Sequence, residues 1–263
     1  MSQPPSQTHD ESQQTLAGQG SPTRAMENWV VHNVVAGVSV VVAREMPVLP
    51  AALDREVQRI WEAARENLPH IFNGRIFSAD EITPNAITGH WSEFRRSLAQ
   101  IQRPELYEDL SVRSLAVNGI IRCAESGVLI GRRSSRAVHQ AGQWQLPPAG
   151  SIDPGAQASD GSIDFKLQIL AELREEVGLP AERIEAMVPL CLVEHPGTHI
   201  TDFGIELRTK ADAAALLAAH AASGNGEYEE MRVLPIPQIL ALGIDLMPTV
   251  PVFLTRLPHP ESG

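Results

Sequence analysis

Residues 114–179 constrain the fold most strongly, because strand patterns lead through a turn-rich loop directly into one amphipathic helix. Two strands joined by a turn at 125–127 predict a β-hairpin. The remaining elements predicted here are a short strand at 142–146, a Pro- and Gly-rich loop at 147–155, and a helix over 164–177 that Gly178 can end in the left-handed conformation. A strand–loop–helix unit of this kind indicates a layered structure with helices packed on a sheet.

The flanking sequence adds further strands and helices on both sides of this unit. Predicted strands lie at 30–31, 38–42, 75–78, 189–195, 204–209 and 231–236, and predicted helices at 50–66, 91–100, 210–222 and 237–242. This order predicts an α/β (α+β) fold in which a mixed β-sheet is sandwiched between helices, with an N-terminal α/β extension. The predicted organisation is a disordered tail at 1–25, an N-terminal segment at 26–110 packed on a main domain at 111–258, and a loose C-terminus at 259–263.

Charge and composition exclude several classes of protein. The net charge is −11, which argues against a surface for nucleic acid or anionic membranes, since both need clustered basic residues. No apolar run reaches the length of a membrane span, and the N-terminus lacks the basic and apolar regions of a signal peptide. Cys123 and Cys191 lie in apolar runs, which predicts buried thiols. We therefore expect a soluble, cytoplasmic protein that binds neither nucleic acid nor membrane.

The end of the helix at 164–177 carries an unusual concentration of negative charge. At the α-helical rotation of about 100° per residue, Glu172, Glu175 and Glu176 fall within an arc of ~100°. Like charges at this spacing destabilise a helix, and the helix dipole disfavours anions near its C-terminus. Three converging carboxylates are suitable ligands for a hard divalent cation, although a solvated acidic face is the alternative interpretation.

The loop before this helix contains glycines at 150 and 155. Glycine permits tight turns and lets the backbone approach a phosphate group closely. An ordinary turn would explain this loop by itself. The combination of strand, glycine loop, acidic helix and closing glycine is more specific.

Taken together, this segment resembles the box motif of the Nudix hydrolases. The family pattern is Gly, five residues, Glu, seven residues, then Arg-Glu-aliphatic-x-Glu-Glu-x-Gly-aliphatic. The matching positions are Gly150, Glu172, Leu173, Glu175, Glu176, Gly178 and Leu179. The sequence departs from the pattern at Ala156, which replaces the first glutamate, at Ala171, which replaces the arginine, and by an insertion at 157–164.

The resemblance covers roughly residues 112–257 and implies a Nudix fold and a Mg²⁺-dependent pyrophosphatase, with Mn²⁺ as an alternative metal. It implies that the carboxylates of Glu172, Glu175 and Glu176 and the backbone of Gly150 bind metal, and that the same glutamates serve in catalysis. The substrate would be a small nucleoside diphosphate linked to another group X. The vertebrate Nudix UDP-glucose/UDP-galactose pyrophosphatase is closest in layout, and this favours a nucleotide sugar. Coenzyme A and ADP-ribose pyrophosphatases are the alternatives, and homodimers are frequent in the family.

Several other residues are candidates for the site. Arg132, Arg133 and Arg136 could hold a diphosphate, although a solvated hairpin edge explains them equally well. Trp144 could stack on a base or pack in the core. Candidates for a further base or ligand are Glu194, Glu227 and Glu229.

Two other classes of function stay open at this stage. Ala156 and Ala171 are compatible with a catalytically weak Nudix-fold module that only binds nucleotides. An interaction protein would instead expose an apolar patch near Trp61 and Trp91.

Overall fold

A computed structural model describes residues 29–135, 137, 140–224 and 226–258. The predicted tail, the predicted loose C-terminus and Arg136 lie outside these ranges. The strands are β1 Val30–Asn33, β2 Ser39–Val42, β3 Arg75–Ile82, β4 Ala86–Glu93, β5 Leu115–Arg122, β6 Val128–Arg133, β7 Trp144–Gln145, β8 Ala149–Ser151, β9 Ile184–Glu194, β10 Thr201–Thr209 and β11 Tyr228–Leu234. The helices are α1 Ala51–Asn67, α2 Phe94–Gln102, α3 Tyr107–Leu110, α4 Phe165–Glu172, α5 Ala213–Ser223, α6 Ile236–Leu240 and α7 Thr249–Leu254.

The main sheet is mixed, with the strand order β1-β9-β10-β5-β6-β11. β10 and β5 run parallel, whereas the other neighbours on this path are antiparallel. β5 pairs with β6 only where Arg122 faces Val128, and its other end pairs with β8, which places Gly150 opposite Val117. The strands β5 and β6 therefore diverge, and a cleft opens between them.

Helices cover both faces of the main sheet. One face packs against α4, the turn that follows it and α5, through residues such as Ile169, Leu173 and Leu216. The opposite face packs against α6 and α7, through Ile239 and Phe253. The predicted α/β class, with a mixed sheet between helices, is confirmed. The cysteines are buried free thiols, one in each layer, as predicted.

The N-terminal segment contributes a second, three-stranded sheet in the order β2-β4-β3. Its Val40 and Phe77 are buried in the same apolar cluster as Leu115 of β5. The predicted start of the helix at 91–100 is wrong, because Trp91 belongs to β4 and α2 begins at Phe94. Trp91 faces Phe77 across the strand pair with the ring centroids 5.9 Å apart, and this cross-strand packing outweighs the local helical spacing.

The two tryptophans at which the interaction-protein interpretation expects an apolar patch are buried. Trp61 and Trp91 are 5% and 4% exposed, so they form no apolar surface patch. The helices of the described ranges include none with the length and apolar character needed to cross a membrane.

The insertion at 157–164 joins the second sheet to the box. Ile163 N donates to Val40 O at 2.8 Å, and Val42 N donates to Gly161 O at 3.1 Å, so the insertion extends the edge of β2. Trp91 Nε1 donates to Gln157 Oε1 at 2.8 Å. The extra residues thus connect the N-terminal sheet directly to the start of α4.

Candidate active site

Local sequence signals position the acidic helix. Asp164 caps α4 by accepting hydrogen bonds from Lys166 N and Leu167 N, and Gly178 ends the helical segment with φ 72°. Between them, residues Leu173–Val177 form a π-helical turn. This turn is wider than the α-helix assumed from the sequence, and π turns are frequent at functional sites. The three glutamates therefore do not share one equivalent face.

Glu176 is the most deeply buried of the three, with 1% of its surface exposed. Its Oε2 accepts hydrogen bonds from Ala149 N at 3.0 Å and from the Tyr228 hydroxyl at 3.2 Å. Burial raises the pKa of Glu176 well above its ordinary value, and the charge of Glu227 raises it further. The side chain is thus fixed beside β8, although the surroundings disfavour its charge.

Glu172 lies directly against the backbone of Gly150. A Cβ atom at position 150 would come within 2.1 Å of Glu172 Oε1, so only glycine leaves room for the carboxylate there. Gln168 Nε2 donates to Glu172 Oε1 at 2.8 Å. Burial raises the pKa of Glu172 to about 7, against the effect of the Gln168 hydrogen bond, and the nearby charges of Glu175 and Glu227 raise it as well.

The structure adds Glu227 to the box glutamates. Burial raises the pKa of Glu227, and the negative charge of Glu175 raises it further. The positive charge of Arg133 lowers it, because Arg133 Nη1 lies 3.5 Å from Glu227 Oε1. Glu175 itself is exposed. Among the described residues, no three His, Cys, Asp or Glu side chains are positioned to hold a metal ion together in this conformation. In this conformation Glu172 lies against Gly150 and Glu176 against Ala149, while Glu175 and Glu227 are near enough to raise the pKa of Glu172.

Two adjoining cavities lie next to Gly150 and Glu227; the three box glutamates are not among the described residues that line them. The smaller has a volume of about 210 Å³ and is lined by Ala149, Gly150 and Glu227, among others. The larger, of about 840 Å³, is walled on one side by Phe94 and Leu98 of α2. Both cavities are lined in part by Arg133, Ser151, Ile200 and Glu227, so they form one continuous cleft. Its size is that of a site for a small organic ligand.

Of the predicted arginines, the structure brings Arg133 to the cleft. Its Nη1 donates to Gln145 Oε1 at 2.6 Å, while its buried Nε has no hydrogen-bond partner among the residues that the structure describes. Arg132 lies away from the cleft lining and pairs with Glu229 and Glu230 at 3.4 and 3.6 Å. An unpaired buried guanidinium N–H is costly unless a ligand accepts its hydrogen bond.

The structure does not bring Trp144 to the cleft. The indole is 6% exposed, belongs to the apolar cluster under α6 and α7, and has the Arg232 guanidinium 4.8 Å from its ring centroid. A base could not stack on it, so its prediction as a substrate-binding residue is wrong and the core-packing alternative applies.

Two of the three additional acidic candidates lie in other polar clusters. Glu194 pairs with Arg113 at 2.5 Å and with His199 at 2.8 Å. Although burial opposes ionisation, the hydrogen bonds from these groups outweigh it and lower the pKa of Glu194. Glu229 Oε1 accepts from Ser135 N and Oγ, each at 2.8 Å, near the end of the paired strands β6 and β11. Glu229 lines the larger cavity, whereas Glu194 lines neither cavity in the described part of the chain.

The sequence analysis missed four polar residues of the site. Gln168 and Tyr228 hold the box glutamates, and Asn118 and Asp202 line the cleft. Asp202 was overlooked because its strand was predicted to begin only at 204. Burial raises the pKa of Asp202 to about 6, partly opposed by the hydrogen bond from Asn118.

The two alanines that depart from the box pattern occupy different surroundings. Ala156 is 3% exposed in the main apolar cluster, where a glutamate would bury a charge. Ala171 is exposed on α4. Position 156, where the box pattern has its first glutamate, therefore lies in the core. Position 171, where the pattern has its arginine, faces away from the core.

Comparison with known proteins gives similarity to solved structures only. No protein-family model matches the chain, and no curated protein matches it. DR0079 from Deinococcus radiodurans is 15% identical, with a TM-score of 0.44 over 70% of this chain and 99% of that one. A MutT protein from Methanosarcina mazei Go1 is 23% identical, with a TM-score of 0.39 over 54% of this chain and 91% of that one. A NUDIX hydrolase from Nitrosomonas europaea is 14% identical, with a TM-score of 0.36 over 57% of this chain and 99% of that one.

Identities and TM-scores this low assign no activity to the chain. The proposal that follows is therefore based on the box residues and their geometry.

Proposed function

We propose that this protein is a Nudix-type hydrolase that cleaves the diphosphate bond of a nucleoside diphosphate linked to X, with a nucleotide sugar such as UDP-glucose as its substrate. The products would be a nucleoside monophosphate and a sugar phosphate. The observation that supports the proposal is the contact of the Glu172 carboxylate with Gly150 and of Glu176 with Ala149, because Gly150 and Ala149 both line the cleft. Box residues that are far apart in sequence therefore lie close together.

The chemistry of these groups fits a divalent metal ion such as Mg²⁺. All the groups are oxygen donors, as hard cations require: the carbonyl of Gly150 and the carboxylates of Glu172, Glu175 and Glu176, with Glu227 nearby. The raised pKa values of Glu172 and Glu176 show that their negative charges are poorly compensated by the protein alone. These residues would hold the ion after a side-chain adjustment that brings Glu175 towards the other two.

The proposed reaction is attack of water on a phosphorus atom of the P–O–P bridge. A bound divalent ion neutralises the diphosphate and acidifies water. The protein contributes Arg133, whose unpaired Nε–H can donate to a phosphate oxygen. One of the box glutamates would also orient the attacking water and accept its proton. The α2 wall of the larger cavity, formed by Phe94 and Leu98, offers apolar surface to the organic part of the substrate.

The test of this function is phosphate-bond cleavage across UDP-glucose, ADP-ribose and coenzyme A with Mg²⁺ and with excess EDTA. We expect cleavage that EDTA abolishes, with the highest kcat/KM for UDP-glucose. A preference for coenzyme A or ADP-ribose would support the assignment as a hydrolase but would show that the substrate is not a nucleotide sugar. A second candidate is a nucleotide-binding module, favoured by the lack of a preformed three-carboxylate set in the described chain. It predicts nucleotide binding with no cleavage of any compound in the panel.

Replacing Gly150 tests the geometry of the site. A Cβ at 150 would overlap the Glu172 carboxylate, so Gly150→Ala displaces that side chain. Misplacement of a catalytic group should lower kcat by roughly 10- to 100-fold. Gly37→Ala is the matched control, because a Cβ there meets nothing within 4 Å. Wild-type kcat in Gly150→Ala would show that the contact between Glu172 and residue 150 is unimportant.

A further inference from the structure

A polar pair occupies the floor of the cleft, next to the apolar cluster that packs against α7. Asn118 of β5 donates Nδ2 to Asp202 Oδ1 of β10 at 3.0 Å, and Asn118 is 3% exposed. Two residues further along the same strands, Ile120 is fully buried and Gly204 is covered by the Phe253 ring. The pair therefore lies where the cover provided by α7 ends and the cleft begins.

The strand register separates this pair from the box. Asp202 is opposite Ala116, and Ala116 is opposite Ser151, which adjoins Gly150. With neighbouring strands about 5 Å apart, Asp202 lies roughly 10 Å from the backbone of β8. A ligand whose diphosphate is held at Gly150 would present the group attached to that diphosphate, and not the phosphates, to Asp202.

The charge of Asp202 restricts what it can contact. An ionised carboxylate repels phosphate and accepts hydrogen bonds without donating any. It therefore suits an uncharged part of the ligand that carries hydroxyl or N–H donors. Asn118 engages Oδ1, and the other carboxylate oxygen has no hydrogen bond to any part of the chain that the structure describes.

Aromatic rings beside the pair favour a sugar ring as the group bound. Trp29 and His195 line the same cavity and pack edge to face with centroids 4.7 Å apart. Carboxylates commonly accept hydrogen bonds from the hydroxyl groups of a ribose. We propose that Asp202, positioned by Asn118, binds hydroxyl groups of a sugar ring of the substrate and selects for diphosphates that carry such a ring. This inference rests on the proposed function and deepens it.

The test compares Asp202→Asn with the wild type on substrates with and without particular sugar hydroxyls. We expect kcat/KM for UDP-glucose to fall about 10- to 100-fold, the value of a hydrogen bond to a charged group. If the hexose is bound, the methyl ester of UDP, which lacks it, shows less than a threefold loss. If Asp202 binds the ribose, Asp202→Asn cleaves both UDP-glucose and the methyl ester of UDP less efficiently than the wild type does. With the 2′-deoxyribose analogues of these two compounds, variant and wild type then no longer differ. Asp109→Asn, at an exposed aspartate of α3, is the control.

Equal losses on every compound, or no loss on any, would overturn the assignment. A loss that follows a change of the base, and not of hydroxyl groups, would show that the pair reads a nucleobase N–H. If Asp202→Asn does not fold by thermal melting, Asp202→Glu is measured in the same way. If the wild type cleaves nothing, the proposed function fails, and calorimetric binding of UDP-glucose and its deoxy analogues to both proteins still decides the role of Asp202.

Discussion

Glu176→Gln should reduce kcat by at least about 100-fold while making the metal-free protein more stable at pH 8. The loss of activity follows from the removal of one anionic ligand from the proposed metal site. The gain in stability follows from the raised pKa of Glu176, because a buried carboxylate with a raised pKa destabilises the fold once it ionises. Glutamine has nearly the same shape, and its oxygen can still accept from Ala149 N and the Tyr228 hydroxyl.

The two measurements are steady-state cleavage with Mg²⁺ and thermal unfolding with EDTA. Glu62→Gln, at an exposed position of α1, is the matched control and should change neither. An unchanged kcat would remove Glu176 from the ligand set. Reduced activity together with reduced stability would instead point to a structural role for this residue.

Sequence reasoning succeeded where one segment determines its own conformation. The end of the helical segment at the left-handed Gly178 is set by neighbouring residues, and it is found in the structure as the pattern indicates. The alternation of aliphatic residues likewise predicted β5, β6 and the hairpin that joins them. Gly150 could be identified from the motif, since its role requires only that no side chain be present.

The remaining features of the site depend on contacts between segments distant in sequence. The π turn at Leu173–Val177 changes the direction of the glutamates, and helical rotation at 100° per residue could not predict it. Glu176 is buried because β8 places Ala149 N beside it, 27 residues earlier. Arg132 and Arg133 are adjacent and chemically alike, yet only Arg133 lines the cleft, because neighbouring residues of a strand point to opposite faces.

The insertion departs from the box motif, but it adds contacts between the box and the N-terminal sheet. Residues 157–164 lengthen the box, yet they pair with β2 and accept the Trp91 hydrogen bond through Gln157. The start of α4 is thereby tied to the N-terminal sheet. The same N-terminal segment supplies the α2 wall of the cleft, so the insertion binds the start of α4 to the sheet from which α2 extends.

The metal-free protein should lose stability as the pH rises from about 5 to 8, and Mg²⁺ should restore it. The folded pKa of Glu172 is about 7 against an ordinary value of 4.5, and those of Glu176 and Glu227 are also raised. Below pH 4.5 these groups are protonated in both states, and they destabilise the fold increasingly as the pH rises through the folded pKa values. For Glu172 the effect is at most about 3 kcal/mol in the free energy of unfolding.

The pKa of Glu194 is shifted in the opposite direction, and this gives the plot of stability against pH a maximum. The lowered pKa of Glu194 stabilises the fold above its ordinary pKa, and this contribution is lost as the pH falls through the lowered value. Stability of the EDTA-treated protein should therefore be greatest near pH 5. Cations that bind the ionised carboxylates should raise the melting temperature strongly at pH 8 and little at pH 5, since protonated carboxyls are poor ligands.

Thermal melts with EDTA and with excess Mg²⁺ at both pH values measure this difference. Glu172→Gln should flatten the alkaline side of the profile obtained with EDTA, because it removes one of the groups that ionise there. An equal Mg²⁺ effect at pH 5 and pH 8 would indicate that the ion binds elsewhere. A flat profile with EDTA would mean that Glu172, Glu176 and Glu227 are better solvated than their burial implies, and the electrostatic reason for a metal ion at this site would be lost.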